Sequence, residues 1–503
     1  MNKIYSKLVM AMLLLITVFI PSCSKNDLVE LYPEFELDAL TNPSTLDQVE
    51  QVLSGAYAGF RDADYFGSAS GTGASWVLMP DVMSDNFFES ASQSLANSRS
   101  MADWLYNEST EQVSLMYTAA YKVIAAANIV IRDADKFREG NELRVNRIKG
   151  QAYAIRALAH FDLFRYFAPS FDRSSTNDLA VFYSTEFLVS TDAKPARHTN
   201  KEFYDLLFAD LDQAKSLLQN TDQEINSGNA LSRPFIDLTG VHALQARTYL
   251  YAGLWAEAEA AATAAINARP LVNLNQNAFS GMYNQTSAGE IIWNVQFEAG
   301  QGGPTYLVYF PNSNRNPFRP SYDIAVGDGS SGLIRENDIR FDAFFKADPD
   351  AAEANQLTIK KYQGKGTTLD GVANVNVFRT GEMYLIRAEA RARSGQAKEV
   401  QGLQDLNTLR AARIAGYTNV NVSGAVLLNE IANERRRELF GEGHRFFDLK
   451  RTSRTIQRGA PCGTSVSSSG ECSLASSARE WALPYPESVT RANQNIIQNQ
   501  GYN

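Results

Sequence analysis

The chain has 503 residues, of which 44% are hydrophobic and 20% charged, so it can bury a large core and lies outside the composition range of disordered proteins. Its 47 basic and 56 acidic side chains give a net charge of −9, and its mean hydropathy is −0.27. This charge argues against nucleic acid as a partner, and the single strongly apolar stretch, at the N-terminus, argues against a polytopic membrane protein.

The N-terminal residues predict an export signal. Two lysines precede an apolar run from Leu8 to Ile20, which as a helix is about 20 Å long and too short for the roughly 30 Å core of a bilayer. A basic region followed by a short apolar region is typical of a secretory signal. Soon after this run comes Cys23, which directly follows a small residue, Ser22. Bacterial lipoprotein signals are cleaved before a cysteine in this position, and its thiol is then acylated. We therefore expect a lipoprotein signal peptide at 1–22 and a lipid anchor on Cys23.

The segment after the cysteine, 23–40, has the composition of a tether, with five acidic residues among proline and small polar residues. Removal of 1–22 takes away two lysines and no acid, so the mature charge is 45 − 56 = −11. Two or more acyl chains attach a protein stably to a membrane, so we expect a tethered acidic protein that does not span the bilayer. An ordinary signal peptide with an incidental cysteine is the alternative.

Helical periodicity dominates the rest of the chain. Apolar residues step by three and four from Leu46 to Phe60 and from Val145 to Tyr166, as in helices that lie on a core. The predicted elements are, in chain order, helices at about 46–60, 110–137, 145–166, 200–219, 239–252 and 256–268, a strand at 291–297, and helices at 378–394, 397–415 and 425–441.

Two segments match the tetratricopeptide pattern of paired helices. The stretch from Ala246 to Pro270 has a small residue, an aromatic, a turn at Gly253 and then alanines before the proline. A second turn, at Gly395, lies 142 positions later, so the array is interrupted. Long stretches rich in Gly, Ser and Asn separate its parts, at 62–100, 169–198 and 270–376, and loops of that length are usually functional or disordered.

Two further cysteines, Cys462 and Cys472, flank a Ser/Gly-rich stretch. Because an exported chain meets an oxidising compartment, we expect them to form a disulfide. Two free thiols are the alternative. The segment has too few ligands for a metal, and no cofactor is predicted.

Seven motifs occur in order along the chain. They are Trp104-Leu-Tyr through Asn128, Arg156-Ala-Leu-Ala-His-Phe-Asp-Leu-Phe-Arg165, Ala246-Arg-Thr-Tyr-Leu-Tyr-Ala-Gly, Tyr384-Leu-Ile-Arg-Ala-Glu-Ala, Leu406 to Arg413, Glu434 to Arg451, and Leu483-Pro-Tyr-Pro-Glu with the tail to Tyr502. With these motifs the chain resembles the SusD/RagB family of Bacteroidetes surface lipoproteins from Cys23 to the C-terminus. It departs from the family pattern at Pro21 and at Phe440-Gly441.

The resemblance implies a mainly α, SusD-like fold, with tetratricopeptide-like helix hairpins, a loop-rich variable region and little β structure. It implies one body at 23–503. The expected parts are a helical scaffold at about 41–61, 101–168, 199–269 and 377–455, ligand loops at about 62–100 and 270–376, and a disulfide loop and C-terminal tail at 456–503.

The resemblance also implies a function. Family members are surface-exposed, lipid-anchored proteins of the cell outer membrane that capture glycans and deliver them to a TonB-dependent, SusC-like transporter. RagB-like members capture peptides, which is one alternative here. The other is a scaffold whose helices bind only protein.

The most charged segment, 434–451, is predicted to be a structural helix. Arg435 with Glu438, and Glu434 with Arg437, have the i,i+3 spacing of helix ion pairs. The family signature therefore indicates scaffold and not chemistry.

The sequence carries little sign of catalysis, and we predict that the chain is not an enzyme. Its four histidines lie at least 38 residues apart, and neither a HExxH pair nor a Gly-x-Ser-x-Gly turn occurs. Glycoside hydrolysis by two carboxylates is an alternative that the number of acids leaves open.

Sugar recognition needs flat apolar rings together with planar polar groups, and two loops supply that mixture. For each ring, packing in a core or a loop is the alternative. A peptide could instead be held by Arg315, Arg319 and Tyr306. The candidate ligand residues are Tyr65, Phe66, Trp76 and Asn86 in the first loop, and Tyr306, Tyr309, Phe310, Asn312, Asn314 and Arg315 in the second.

Overall fold

The structure is a computed structural model that describes residues 41–68, 75–94, 98–188, 192–311, 313, 315–327, 329–348 and 356–502. The predicted signal peptide, the anchor Cys23 and the tether lie outside the described residues, as do two candidate ligand residues, Asn312 and Asn314.

Helices make up most of the regular structure, as predicted, and the described residues form 15 α-helices. They are α1 (Leu46–Gly59), α2 (Met79–Val82), α3 (Arg99–Ala102), α4 (Glu111–Asp133), α5 (Glu142–Phe167), α6 (Asn200–Leu218), α7 (Leu238–Ala252), α8 (Trp255–Ala268), α9 (Gln276–Asn284), α10 (Ile339–Phe344), α11 (Thr380–Arg393), α12 (Gln396–Ala411), α13 (Gly424–Glu438), α14 (Arg445–Arg451) and α15 (Glu487–Ala492).

Short strands pair into four antiparallel two-stranded sheets in the described residues. The predicted strand at 291–297 is confirmed as β2. The pairs are β1 (Phe87–Glu89) with β3 (Phe318–Pro320), β2 (Ile291–Val295) with β6 (Val375–Arg379), β4 (Phe345–Ala347) with β5 (Leu357–Ile359), and β7 (Ile456–Gln457) with β8 (Ser473–Leu474).

The long helices pack side by side in chain order. Helix α1 lies on α4, α4 on α5, α5 on α6, α6 on α7 and α7 on α8. The next neighbour of α8 is α11, although residues 269–379 separate the two, and α12 and α13 both pack on α11. The predicted interruption is therefore an insertion, and the loop-rich region inserted there leaves the helix array continuous.

Small residues set the spacing of these helices. The predicted small contacts Ala258, Ala262 and Ala265 of α8 are buried. A Cβ added to Gly402 of α12 would lie 2.7 Å from the carbonyl oxygen of Ala388 on α11, closer than any real contact. The α7–α8 turn needs glycine for a different reason, because Gly253 has a φ of +70°, which other residues adopt only at a cost.

Helix α4 is apolar enough to be mistaken for a membrane span. Within Glu111–Phe137, which is α4 with the turn that follows it, the most apolar window of 18 residues has a mean hydropathy of 1.4. It lies between α1 and α5, and 56% of its most apolar window is buried in the protein. Its apolar side chains therefore serve the core.

Buried ion pairs connect the helices to the inserted region. Glu438, at the end of α13, accepts hydrogen bonds from Arg340 at 2.9 Å, from Arg413 at 2.9 Å and from Arg379. Burial by itself would raise the pKa of Glu438, but these three guanidinium groups hold it well below its usual range. The carboxylate is thus ionised inside the protein and bound on three sides.

One of the two predicted ion pairs on α13 is wrong. Glu434 and Arg437 are 2.7 Å apart, as predicted. Arg435 instead contacts Asp448 of α14 at 3.1 Å. The reason is that Glu438 is directed to α10 and β6, where the three arginines compete for it, while Arg435 faces α14.

Cys462 and Cys472 are joined by a disulfide, with their Cα atoms 5.8 Å apart. The bridge closes the loop between β7 and β8. Next to it, the backbone N–H of Arg458 donates to the carbonyl oxygen of Cys472 at 2.8 Å.

Candidate functional site

Two rings of the first predicted group, Tyr65 and Trp76, pack inside the protein. They stack on each other with ring centroids 4.9 Å apart, and their exposed fractions are 0% and 2%. The Tyr65 hydroxyl donates to Asp162 of α5 at 2.8 Å, and Trp76 Nε1 donates to the carbonyl oxygen of Asp64 at 3.0 Å. Both rings therefore serve the contact between this loop and α5.

The other two members of the group are buried as well. The Phe66 ring centroid lies 4.8 Å from that of Tyr65. The Asn86 amide donates to Asp81 at 2.6 Å and its oxygen accepts from Arg436 Nε at 2.9 Å. None of the four presents a free face in this structure, which corrects the expectation that they line a surface; the loop folds back on the core because its rings and polar groups find partners there.

Three members of the second group form one half-buried cluster. The Tyr306 and Phe310 rings meet edge to face, with centroids 5.0 Å apart. The Arg315 guanidinium carbon lies 5.6 Å from the centroid of the Phe310 ring. We call Tyr306, Phe310 and Arg315 the aromatic cluster.

Arg315 is held by a loop that the sequence did not connect with it. Its Nη2 donates to the carbonyl oxygens of Gln93 at 3.1 Å and Ser94 at 2.8 Å. Sequence reasoning missed these two positions because their contribution is a backbone oxygen, which any residue type supplies.

The remaining members of the second group differ in position. Tyr309 is 3% exposed, and its hydroxyl donates to the carbonyl oxygen of Leu369 at 3.2 Å. Burial raises the pKa of Tyr309, and the nearby Asp370 adds to that effect. Arg319, a candidate for peptide binding, is 1% exposed and pairs with Asp348 at 2.5 Å. Tyr309 and Arg319 are therefore buried residues that stabilise the loops, and neither belongs to the aromatic cluster.

The two predicted loop regions meet in space. The hydroxyl of Ser68 donates to the carbonyl oxygen of Gly303 at 2.8 Å and accepts from the N–H of Tyr306 at 3.1 Å. A little farther on, β1 and β3 join the same two regions as paired strands. The regions at 62–100 and 270–376 thus form one surface around the aromatic cluster.

This surface is suited to binding by stacking and hydrogen bonding. Tyrosine and phenylalanine rings offer flat apolar faces, and a guanidinium offers several donors in a plane. Among the described residues, no group of three or more His, Cys, Asp and Glu side chains is placed to hold a metal ion.

The histidine of the second motif, His160, has a structural role. Its ring stacks on Tyr183 with centroids 3.8 Å apart, and its Nε2 accepts the N–H of Ser184 at 2.8 Å. Burial lowers its pKa well below the usual range. His160 is therefore a neutral core residue whose hydrogen bonds fix the segment after α5.

Two family models match the chain. One, described as "SusD family", matches residues 354–502, and the other, described as "Starch-binding associating with outer membrane", matches residues 40–250. The second match includes α1 to α6 and most of α7, and the first includes α11 to α15, so of the array only α8 and the end of α7 lie outside both.

Individual relatives are distant but extend over most of the chain. A SusD-like protein of Formosa agariphila is 24% identical over 417 residues, 71% of this chain and 76% of the relative. The crystal structure of a SusD-like carbohydrate binding protein from Bacteroides vulgatus superposes with a TM-score of 0.73 at 20% identity, covering 90% of this chain and 97% of that one. A laminarin binding SusD-like protein has a TM-score of 0.62 at 21% identity, covering 91% and 99%. These likenesses establish the fold.

Proposed function

The chain belongs to the SusD/RagB family, and from that premise we propose that it captures oligosaccharides at the cell surface and breaks no bond in them. The aromatic cluster is the observation that carries this proposal. Tyr306 and Phe310 are half-buried, so the loops hold them in place while part of each residue remains accessible. The family description names starch, and one similar structure is that of a laminarin binding protein.

Calorimetric titration of the chain without its first 22 residues tests the proposal. Starch and laminarin oligosaccharides are the first ligands to try, followed by plant, algal, fungal and host glycans. We expect weak binding to one class, since stacking and a few hydrogen bonds at a half-open surface supply little free energy. The absence of measurable binding to every glycan of the panel would contradict the proposal.

The substitution Tyr306→Ala locates the site. It removes one stacking face, and a loss of about 1.4 kcal/mol corresponds to tenfold weaker binding. Tyr384→Ala is the matched control, because Tyr384 is also a half-buried tyrosine but lies on α11, outside the loops. Equal losses in both variants would place the ligand elsewhere.

Peptide capture is the alternative within the family. Of the three residues that could hold a peptide, Arg319 is occupied by Asp348 and buried, whereas Tyr306 and Arg315 are half-buried. This favours the saccharide. Main-chain electron density at the aromatic cluster, in crystals soaked with a peptide mixture, would reverse the assignment.

Delivery to a SusC-like, TonB-dependent transporter is the remaining part of the proposal. It rests on the family, and pull-down from native membranes tests it. The transporter should be recovered with and without glycan. Recovery of protein partners by a chain that binds no glycan or peptide would favour a scaffold. Release of reducing sugar from any bound glycan would overturn the non-enzymatic role.

A further inference from the structure

A basic cavity lies between α11, α13 and α14, and it shares no residue with the aromatic cluster. Its volume is about 210 Å³, and five arginines but only two acidic side chains line it. We call it the arginine cavity. Its arginines are Arg393, Arg435, Arg445, Arg451 and Arg454.

The two acids of the cavity are already neutralised. Glu389 receives both Nη groups of Arg451, each at 2.7 Å, and Arg393 Nε at 2.9 Å. Asp448 accepts from Arg451 Nε at 2.8 Å and from Arg435 Nε at 3.1 Å.

The balance of charge around the cavity is positive. Outside the wall, Asp85 pairs with Arg445 at 2.7 Å. Counting this aspartate as well, five arginines face three acids, so the local charge is 5 − 3 = +2. The whole chain carries −9, so the excess is local.

Arg435 is the unusual member of the set. Only 1% of its surface is exposed, and within the described part of the chain neither Nη1 nor Nη2 has a hydrogen-bond acceptor. Buried charged donors are nearly always paired, because leaving them without an acceptor is costly. Two donors of one guanidinium without an acceptor indicate that something absent from the chain accepts them.

A second such donor lies across Arg451. A larger cavity, of about 620 Å³, adjoins the first and shares Arg393, Arg451 and Thr452 in its wall. Tyr251 lines this larger cavity, is 5% exposed, and has a hydroxyl without a hydrogen-bond partner among the described residues. Trp255 also lines the larger cavity.

We propose that the arginine cavity binds an oxyanion, either a free inorganic ion or the charged group of an acidic sugar. Only an acceptor satisfies donors that have no other partner, and a negative charge offsets the local excess. Its 210 Å³ is below the roughly 300 Å³ of ordinary ligand pockets, so it accommodates a small ion or a single substituent. A sugar ring attached to that substituent would extend to Tyr251 and Trp255.

Arg454 supports this assignment. Its guanidinium has one hydrogen bond among the described residues, to Asn429 at 2.7 Å. Burial lowers its pKa, and the charges of Arg445 and Arg451 lower it further. An anion in the cavity would relieve that repulsion.

Crystals of the chain without its first 22 residues, soaked in selenate, locate the site, because selenium gives an anomalous signal and selenate imitates sulfate. We expect a peak within hydrogen-bond distance of Arg435 Nη1 or Nη2, about 3 Å from the selenate oxygens. Water alone on these atoms would overturn the proposal.

Titration with sulfate and with methyl glucuronide separates the two sources. Arg454→Gln should weaken whichever ligand binds by about tenfold, since a charged hydrogen bond is lost. Tyr251→Phe should weaken only the glucuronide, if the sugar is the true ligand, and leave sulfate unchanged. Arg491→Gln, a variant at a side chain that is 77% exposed on α15, is the control and should change neither. If Arg454→Gln binds both sulfate and methyl glucuronide as tightly as the unaltered chain does, the arginine cavity is not the binding site and the proposal is refuted.

Discussion

Glu438 has no exposed surface, yet it is ionised and bound to three arginines. Removing one partner from a buried pair leaves the other charges uncompensated, which costs more than the pair itself contributes. Residues of this kind determine how strongly the inserted region is attached to the helices.

The substitution Glu438→Gln tests this attachment. It leaves Arg340, Arg379 and Arg413 with one acid fewer in a buried site, so we expect a loss of about 3–5 kcal/mol in the free energy of unfolding. Chemical denaturation measures it. Glu487→Gln is the control, because its pair with Arg491 is exposed and should contribute less than about 1 kcal/mol. Similar losses in the two variants would contradict the argument.

The lowered pKa of Asp85 predicts that the stability of the protein depends on pH. Burial alone would raise its pKa, but Arg436 and Arg445 hold the pKa at about 2, below the ordinary value of 3.8. A lowered pKa contributes stability above pH 3.8 that is lost as the pH falls toward 2. Between pH 5 and pH 3 the chain should therefore lose about 1 kcal/mol more than Asp85→Asn loses.

Urea unfolding at these two pH values measures the difference between the chain and the variant. Asp205→Asn, at an exposed site beside Lys201, is the matched control. If Asp85→Asn loses as much stability between pH 5 and pH 3 as the unaltered chain does, Asp85 is not the group responsible for the pH dependence.

At the scale of elements, the array depends on how closely its helices approach. The contact of α11 with α12 is formed where Gly402 faces the backbone of Ala388. A side chain at position 402 would meet the backbone oxygen of Ala388, and this atom cannot move aside because it belongs to the backbone of α11. Gly55 of α1 is the contrasting case, since a Cβ there would have no neighbour within 4 Å.

These two glycines give a matched pair of substitutions. Gly402→Ala should destabilise the protein by about 1–3 kcal/mol, because the helices must separate to admit a methyl group. Gly55→Ala should be neutral or stabilising by up to about 1 kcal/mol, since it lowers the entropy of the unfolded chain and meets no obstacle. Thermal unfolding of both variants measures the two changes in stability. Equal changes would mean that the close approach of α11 and α12 contributes nothing to stability.

At the scale of the whole molecule, the description of one matching family model names association with the outer membrane. More than half of the apolar window of α4 is buried in the protein, and we propose that attachment is through Cys23, which lies outside the described residues. We expect Cys23→Ser to abolish incorporation of labelled palmitate and to move the protein from the membrane fraction to the soluble fraction. Cys462→Ser should still incorporate the label. Palmitate on the Cys23→Ser protein would refute the proposed anchor.

Most of the helical scaffold could be read from the sequence. The periodicity from Leu46 to Phe60 and from Val145 to Tyr166 predicted α1 and α5, and the turn at Gly253 separated α7 from α8. These features are local, since a helix face, a cap or a turn depends on residues a few positions apart.

The candidate site depended on contacts that are distant in sequence. Tyr65 and Tyr306 are both aromatic residues in polar loops, and nothing near them in the chain says that the first meets Asp162 while the second meets Ser68. Whether a ring is buried or keeps a free face is set by which distant segment packs over it. The same holds for Arg435. Its predicted partner Glu438, three positions along the helix, is bound by Arg340, Arg379 and Arg413, and Arg435 pairs with Asp448. Local pattern thus determined the helices, and only the packing of the inserted loops decided which side chains are free to bind.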